Sequence, residues 1–232
     1  MMMTTLAYIV VGFGLLRLVI ATLNLLLQEK LPRPKSGESL PSLSVLIPAR
    51  NEAHNIEALL SDLTHVESEC LLEIIVCDDA SEDVTAELVE TWMLRDSRIR
   101  LIYSSGPPSG WLGKNHACHL LSREARGEYL LFLDADVRLS PAFIERALSY
   151  ATTHRLGLLS LFPRQKMQTW AERVSVPNMH LILLSLLLLP LVRRGGFSSL
   201  SRQPMDNVCS SMEQSIESSN LTIGLGTAGL RI

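Results

Sequence analysis

Asp134 and Asp136 flank one alanine directly after the apolar run of residues 129–133. An acidic side chain at the end of a predicted strand can cap a helix, because it accepts hydrogen bonds from free N-terminal amides. Capping does not account for two carboxylates at positions i and i+2 immediately after a buried strand. Their oxygens suit a hard divalent cation that also holds a diphosphate. The pattern therefore favours a divalent metal site at Asp134 and Asp136 over a solvated loop.

Two more polar clusters begin where a predicted strand ends. One contains Pro48, Arg50 and Glu52, and the other contains the acidic pair Asp78 and Asp79. In open parallel α/β sheets, ligands bind at the carboxyl ends of the strands, so clusters that are distant in sequence converge on one crevice. The sequence therefore predicts a single ligand site at one edge of a sheet.

Short apolar runs alternate with helix-period segments throughout residues 42–165. In residues 55–63, for example, apolar side chains recur at i, i+3, i+4 and i+7, as in an amphipathic helix. Crossover helices of this length imply right-handed βαβ units and a sheet covered on both faces, which explains strands that are apolar throughout. Strands are predicted at residues 44–47, 72–77, 99–103, 129–133 and 156–161, and helices at 55–63, 84–93, 115–125 and 141–151. The predicted class is α/β, with a Rossmann-like and mostly parallel sheet.

Residues 6–27 are almost entirely apolar and approach the ~20 residues that a helix needs to span a bilayer. A cleaved signal peptide is disfavoured, because no basic side chain precedes the run and no small-residue cleavage site follows it. Basic side chains within residues 30–35 place the downstream chain in the cytoplasm by the positive-inside bias. Arg17 is costly in lipid, so it is expected to snorkel or to face a protein partner. The sequence predicts an N-terminal transmembrane helix in the inner (cytoplasmic) membrane.

A second apolar run, residues 179–192, is shorter than a comfortable membrane span. Three interpretations stay open: an interfacial or re-entrant segment, a true span that begins near Val174 despite Pro177 and Pro190, and a buried core helix. After Arg194 the chain becomes Ser-rich and loses its periodicity, which predicts an irregular tail and a truncated or frame-shifted C-terminus. The predicted organisation is an anchor at 1–30, a linker at 31–41, an α/β domain at 42–165, a membrane-associated segment at 170–195 and a tail at 196–232.

The composition excludes some classes of partner. A net charge of −3 over 232 residues provides no basic field for a nucleic acid, and no segment interleaves basic and aromatic side chains. A mean hydropathy of +0.22 is high for a soluble domain and is consistent with a membrane partner. The four cysteines lack CxxC spacing, so neither a disulfide nor a zinc site is expected. His116 and His119 are three apart on a predicted helix with no further ligand spaced to complete a site, which favours a helix face.

Four segments in order carry a resemblance to a known family. They read SVLIPARNE, EIIVCDDASEDVT, GWLGKNHAC and GEYLLFLDADV, within about residues 42–162. Together they resemble the signature of family 2 glycosyltransferases with the GT-A fold. The GWLGK segment is similar to the bacterial subset that glycosylates or processes lipids such as hopanoids and carotenoids.

The resemblance implies a role for each matching position. The implied roles are a nucleobase pocket lined by Pro48 and Arg50 and supported by Glu52, a hydrogen bond that Asp79 accepts from the base, and a diphosphate contact from Lys114. Asp134 and Asp136 are implied to contact the ribose or sugar and a Mg²⁺ or Mn²⁺ ion, with Asp136 favoured as the direct metal ligand. A nucleoside diphosphate leaving group needs a metal and a cation nearby, which agrees with these roles. Read without the resemblance, Arg50 and Lys114 can also be ordinary surface charges. The loop at 104–113 is expected to close over substrate, with Trp111 either a lid anchor or a core aromatic.

The resemblance implies metal-dependent, inverting transfer of a sugar from a nucleotide-diphosphate sugar to a lipid-like acceptor at the cytoplasmic membrane face. The family places a general base after the Asp-x-Asp motif. The acidic residues there, Asp206, Glu213 and Glu217, have no recognisable context, so no catalytic residue is assigned. The alternative is a receiver-like signalling module in which Asp134 accepts phosphate. Such modules normally lack a PARNE-like segment and have no use for Asp136, which disfavours this alternative.

Overall fold

The computed structural model describes residues 2–27, 31–34, 39–161, 167, 169–186 and 221–224. The helices are α1 (Met2–Leu26), α2 (Ile56–Thr64), α3 (Thr85–Met93), α4 (Gly113–Glu124), α5 (Phe143–Thr153) and α6 (Trp170–Leu186). The strands are β1 (Leu43–Ala49), β2 (Leu71–Asp78), β3 (Ile99–Tyr103), β4 (Tyr129–Leu133), β5 (Leu158–Ser160) and β6 (Leu221–Gly224). The chain divides into two compact units, one with α1 and α6 and the other with the sheet and α2 to α5.

The strands of the larger unit form a sheet in the order β3-β2-β1-β4-β6-β5. Strand β1 pairs in parallel with both β2 and β4, and β2 pairs in parallel with β3. Strand β6 is antiparallel to both of its neighbours, β4 and β5. The α/β class and the parallel part of the sheet are therefore as predicted. Because β1, β2 and β4 are adjacent and run in the same direction, their carboxyl ends lie at one edge.

Side chains on each strand alternate between two apolar layers, because successive residues of a strand point to opposite faces. On β1, Val45 and Ile47 join the layer that contains the buried side chains of α2, α3 and α5. Leu46, between them, joins the layer formed with α4. All three side chains are fully buried. Helices on both faces explain why these strands are apolar throughout.

The structure differs from the sequence prediction by one additional strand and at several element boundaries. Leu221–Gly224 forms β6 within the tail predicted to be irregular. This run is too short to stand out in a Ser-rich segment, and its pairing with β4 and β5 is a long-range contact that local patterns do not encode. Strand β5 covers Leu158–Ser160 only, and α4 begins at Gly113, two residues before the predicted start.

The smaller unit contains α1, which is apolar and exposed along most of its length. Among the described helices, α1 alone is long and apolar enough to cross a membrane, a property that signal sequences share. Arg17 donates from Nε and Nη2 to Ser185 Oγ of α6, at 2.9 and 2.6 Å. Asn24 donates to the carbonyl oxygen of Leu184 at 2.6 Å. Arg17 therefore faces a protein partner, which was one of the two outcomes expected for it.

Helix α6 passes through Pro177 without a break and ends, in the described part, at Leu186. The N-terminal half of the second apolar run, from Met179, is thus helical. Residues 187–192 of that run lie outside the described residues. Whether the helix spans the membrane, lies at its interface or is buried in a core stays a prediction.

Candidate active site

A cleft of about 360 Å³ opens at the carboxyl edge of β1, β2 and β4. It is lined by Pro48, Ala49, Arg50, Glu52, Asp79, Gly113, Lys114, Ala117, Asp134, Ala135 and Asp136. The structure therefore brings together every residue that was predicted to bind a donor or a metal. The volume lies within the ~300–1,000 Å³ range typical of small-molecule sites.

Asp134 and Asp136 line the cleft where β4 ends. Ala135, between them, is buried and belongs to the apolar layer on the α2 side. Asp136 is exposed and Asp134 is half-buried. Alternation along the chain thus puts alanine in the core and both carboxylates on the cleft. Asp134 Oδ1 also forms an ion pair with Lys114 Nζ at 2.8 Å.

The segment after Asp136 is fixed from α2 by Asp62. Arg138 donates from Nε and Nη2 to the two carboxylate oxygens of Asp62, at 2.6 and 2.7 Å, and the Leu139 amide donates to Asp62 Oδ2 at 3.0 Å. The hydrogen bond to Asp62 raises the pKa of Arg138 above its ordinary value. Asp62 lies on the polar side of a predicted amphipathic helix, and no local sequence pattern identified it as a residue that supports the site.

Helix α4 begins at the cleft, with Gly113 as its first residue. A β-carbon at Gly113 would lie 2.6 Å from Asp79 Oδ2, closer than any van der Waals contact allows. Asp79 is only 6% exposed, so its carboxylate has little room to move. The free amides and the dipole of a helix N-terminus also favour an anion at this position. Gly113 is therefore a site residue that the sequence pattern did not assign, although it lies within the GWLGK segment.

The neighbouring Asp78 is buried and does not line the cleft. Its Oδ2 accepts a hydrogen bond from the Ser81 amide at 3.3 Å, and its Oδ1 has no hydrogen-bond partner among the described residues. Burial, followed by the charges of Asp79 and Asp78, raises the pKa of the Cys77 thiol to about 12. That thiol is therefore neutral near pH 7. The other described cysteines, Cys70 and Cys118, are also buried and form no disulfide with a described residue, while Cys209 lies outside the described residues.

Trp111 is 41% exposed and is therefore not a core aromatic. Its ring lies against those of His116 and His119, with centroid separations of 6.1 and 5.3 Å. His116 Nδ1 is also 3.3 Å from Ser104 Oγ. No group of three or more His, Cys, Asp or Glu side chains placed to hold a metal occurs in the described part of the chain. Through their contacts with the Trp111 ring, the two histidines form a packing face of α4. Closure of the 104–113 loop over a substrate stays a prediction.

The donor set at the cleft can nevertheless fit a Mg²⁺ or Mn²⁺ ion. Mg²⁺ commonly binds one or two carboxylates and completes its coordination with water and substrate phosphates. Asp134 and Asp136 provide two such carboxylates, while Lys114 and Arg50 add positive charge to the same cleft. This arrangement suits a ligand with a diphosphate group. The three acids considered as a general base, Asp206, Glu213 and Glu217, lie outside the described residues.

The family model for glycosyl transferase family 2 matches residues 44–208. A 4,4'-diaponeurosporenoate glycosyltransferase of Staphylococcus haemolyticus is 34% identical over 133 residues, covering 56% of this chain and 34% of that protein. The uncharacterised glycosyltransferase EpsJ of Bacillus subtilis is 28% identical over 120 residues, covering 52% of this chain and 33% of EpsJ. The chain thus spans about a third of the length of these curated relatives.

Among solved structures, the chain is similar to the mannosyltransferase PcManGT of Pyrobaculum calidifontis in complex with GDP-Man and Mn²⁺. The TM-score is 0.55 at 24% identity, and the match covers 68% of this chain and 46% of that one. This likeness supports the GT-A fold that the four motifs implied.

Proposed function

The chain belongs to glycosyl transferase family 2, and from that premise we propose that it transfers a sugar from a nucleotide-diphosphate sugar to a lipid-like acceptor. The proposed reaction takes place at the cytoplasmic membrane face, inverts the anomeric centre and depends on Mg²⁺ or Mn²⁺. The observation that carries the proposal is the convergence of the predicted donor and metal residues on one cleft at the carboxyl edge of the sheet.

The donor half of the proposal follows from the charges in the cleft. Asp134 and Asp136 would hold the cation, which neutralises charge on the diphosphate leaving group when it is bound. Lys114 brings an ammonium group to the same place, and the dipole of the α4 N-terminus favours an anion there. Asp79 is a buried acceptor suited to an N–H group of the base, with Pro48 and Arg50 beside it. The chain's own part is therefore to orient the donor and to stabilise the departing diphosphate.

The proposed membrane location and lipid-like acceptor rest on other observations. The apolar surface of α1 suits lipid, and its hydrogen bonds to α6 satisfy Arg17 and Asn24, which are otherwise costly there. Relatives named 4,4'-diaponeurosporenoate glycosyltransferase support a lipid-like acceptor. We expect the chain to stay in the membrane pellet after an alkaline carbonate wash. Its release by that wash would contradict the anchor.

The receiver-like alternative is not favoured. In receivers the parallel strands are ordered 2-1-3-4-5, whereas this sheet has the order β3-β2-β1-β4-β6-β5 with β6 antiparallel. The family match also points to a transferase. Phosphorylation of Asp134 by acetyl phosphate would restore the alternative.

The proposal is tested by calorimetry on the full chain in detergent. UDP, GDP, ADP, CDP and dTDP are titrated with Mn²⁺, with Mg²⁺ and with EDTA. We expect one base to bind best and its binding to need the metal. Absence of binding by every nucleotide in the presence of either metal would overturn the donor assignment.

The contact between Gly113 and Asp79 provides a specific prediction. Gly113→Ala should weaken binding of the preferred nucleotide diphosphate about two- to tenfold, because the added methyl displaces one hydrogen-bonding carboxylate. Thermal stability should fall as well, since the methyl group is forced against a buried carboxylate that has little room to move. Calorimetry and thermal melts on one preparation measure both. In the Asp79→Ala background Gly113→Ala should have no further effect on affinity, and additive losses would show that the glycine acts elsewhere.

A further inference from the structure

Two loops of the cleft are joined by a set of hydrogen bonds. The first loop, residues 50–53, follows β1, and the second, residues 79–84, follows β2 and leads into Thr85, the first residue of α3. Four bonds cross between them: Asn51 N–H to Ser81 Oγ (3.0 Å), Glu82 N–H to Asn51 Oδ1 (2.8 Å), Glu52 N–H to Thr85 Oγ1 (2.9 Å) and Ala53 N–H to Asp83 Oδ2 (3.1 Å). The loops therefore form one unit on the Arg50 and Asp79 side of the cleft.

Each of the two loops contains one residue with a strained backbone conformation. Asn51 and Ala80 have φ values of +56°, in the left-handed region that residues other than glycine rarely adopt. Asparagine visits this region more readily than most residues, because its short polar side chain can hydrogen-bond nearby. Such a conformation persists only where its surroundings hold it. At Asn51 the surroundings are the second loop, which binds both its amide and its side-chain oxygen.

Asn51 also lies between two residues of the cleft, Arg50 and Glu52. Its φ angle sets the direction of the chain from one to the other. The second loop is itself stabilised locally, because Asp83 accepts hydrogen bonds from the amide and the hydroxyl of Thr85. The hydrogen bond to Thr85 also holds the pKa of Asp83 below its ordinary value.

We propose that Asn51 is a positioning residue for the nucleoside part of the donor: by binding the second loop in a left-handed conformation, it holds Arg50 and Asp79 at a fixed separation before the donor arrives. This inference rests on the proposed function. Because the hydrogen bonds between the two loops form before the donor binds, less conformational entropy is lost on binding. Asn51 is exposed and belongs to neither apolar layer of the sheet, so its contribution falls on the site geometry and not on the core.

Two substitutions each remove one hydrogen bond between the two loops. Asn51→Gly removes the acceptor of the Glu82 amide but permits the same φ. Ser81→Ala removes the acceptor of the Asn51 amide, and Ser81→Thr keeps a hydroxyl in its place. Glu82→Ala is the matched control, because Glu82 has an exposed side chain and contributes its main-chain amide only.

Calorimetry on the full chain in detergent measures the affinity for the preferred nucleotide diphosphate with Mn²⁺, and for Mn²⁺ alone. We expect Asn51→Gly and Ser81→Ala each to weaken nucleotide binding about two- to tenfold, the effect of one neutral hydrogen bond. Binding of Mn²⁺ alone should not change, since Asp134 and Asp136 lie outside the two loops. Ser81→Thr and Glu82→Ala should bind the nucleotide as the unsubstituted chain does.

The other possible results distinguish failure of the positioning role from failure of the proposed function. Unchanged nucleotide affinity in both Asn51→Gly and Ser81→Ala would overturn the positioning role while leaving the proposed function intact. A parallel loss of Mn²⁺ affinity, or a large fall in melting temperature, would show a general structural role instead. If the unsubstituted chain binds no nucleotide diphosphate, the proposed function fails and the positioning role fails with it.

Discussion

Asp136→Ala is expected to abolish Mn²⁺-dependent binding of the nucleotide diphosphate and to lower sugar transfer about a hundredfold or more, the effect of losing one group that stabilises charge at the leaving group. Asp136 is the exposed member of the pair that lines the cleft, and it has no ion-pair partner among the described residues. Calorimetry with and without Mn²⁺ measures binding, and a donor hydrolysis or transfer assay measures turnover.

The matched control for this variant is Glu128→Ala. Glu128 is an exposed acid just before β4, at the opposite end of the strand from Asp136. Removing it changes the net charge by the same amount without touching the cleft, so nucleotide binding should be retained. Metal-dependent binding that survives in Asp136→Ala would mean that the cation is held elsewhere.

Lys114→Met is expected to change two affinities in opposite directions. The Lys114 ammonium pairs with Asp134 at 2.8 Å, so in the donor-free cleft it neutralises a carboxylate assigned to the metal. Its loss should strengthen binding of Mn²⁺ alone by about two- to fivefold, the modest effect of an exposed ion pair. The same loss should weaken binding of the nucleotide diphosphate about ten- to a hundredfold, because a charge-assisted hydrogen bond to the diphosphate disappears.

Two variants make the result specific. Lys114→Arg retains the cation and should keep most of the nucleotide affinity. Arg123→Met removes a positive charge near the other end of α4 and should change neither affinity. If Lys114→Met weakens both Mn²⁺ and nucleotide binding, the side chain supports the fold of the cleft and does not exchange between Asp134 and the diphosphate.

Much of the fold was predictable because its signals are local. Apolar runs bounded by polar clusters fixed the positions of β1 to β4, and helix-period spacing fixed α2 to α5 to within a few residues. Strand β6 was missed, because Leu221–Gly224 is short and its pairing partners lie about ninety and about sixty residues away. The pairing of α1 with α6 through Arg17 and Ser185 was likewise beyond local pattern.

The residues of the candidate site also divide into those that could be predicted from the sequence and those that could not. Pro48, Arg50, Glu52, Asp79, Lys114, Asp134 and Asp136 were identified from residue type and from their position at strand ends or in a matching motif. The residues that constrain them, such as Asn51, Asp62 and Gly113, were not. Their importance depends on a left-handed backbone, a bidentate contact and a close approach, none of which is a property of the residue type alone.

The pair Asp134 and Asp136 illustrates the difference between what the sequence determines and what the tertiary structure determines. Sequence by itself determined that two carboxylates follow a buried strand with alanine between them, because strand periodicity and residue chemistry are both local. Only the tertiary structure decided that Lys114 pairs with the first of them and that Asp62 fixes the chain after the second. Those contacts join segments far apart in the chain, and the packing of α2 and α4 beside β4 is what brings them within reach.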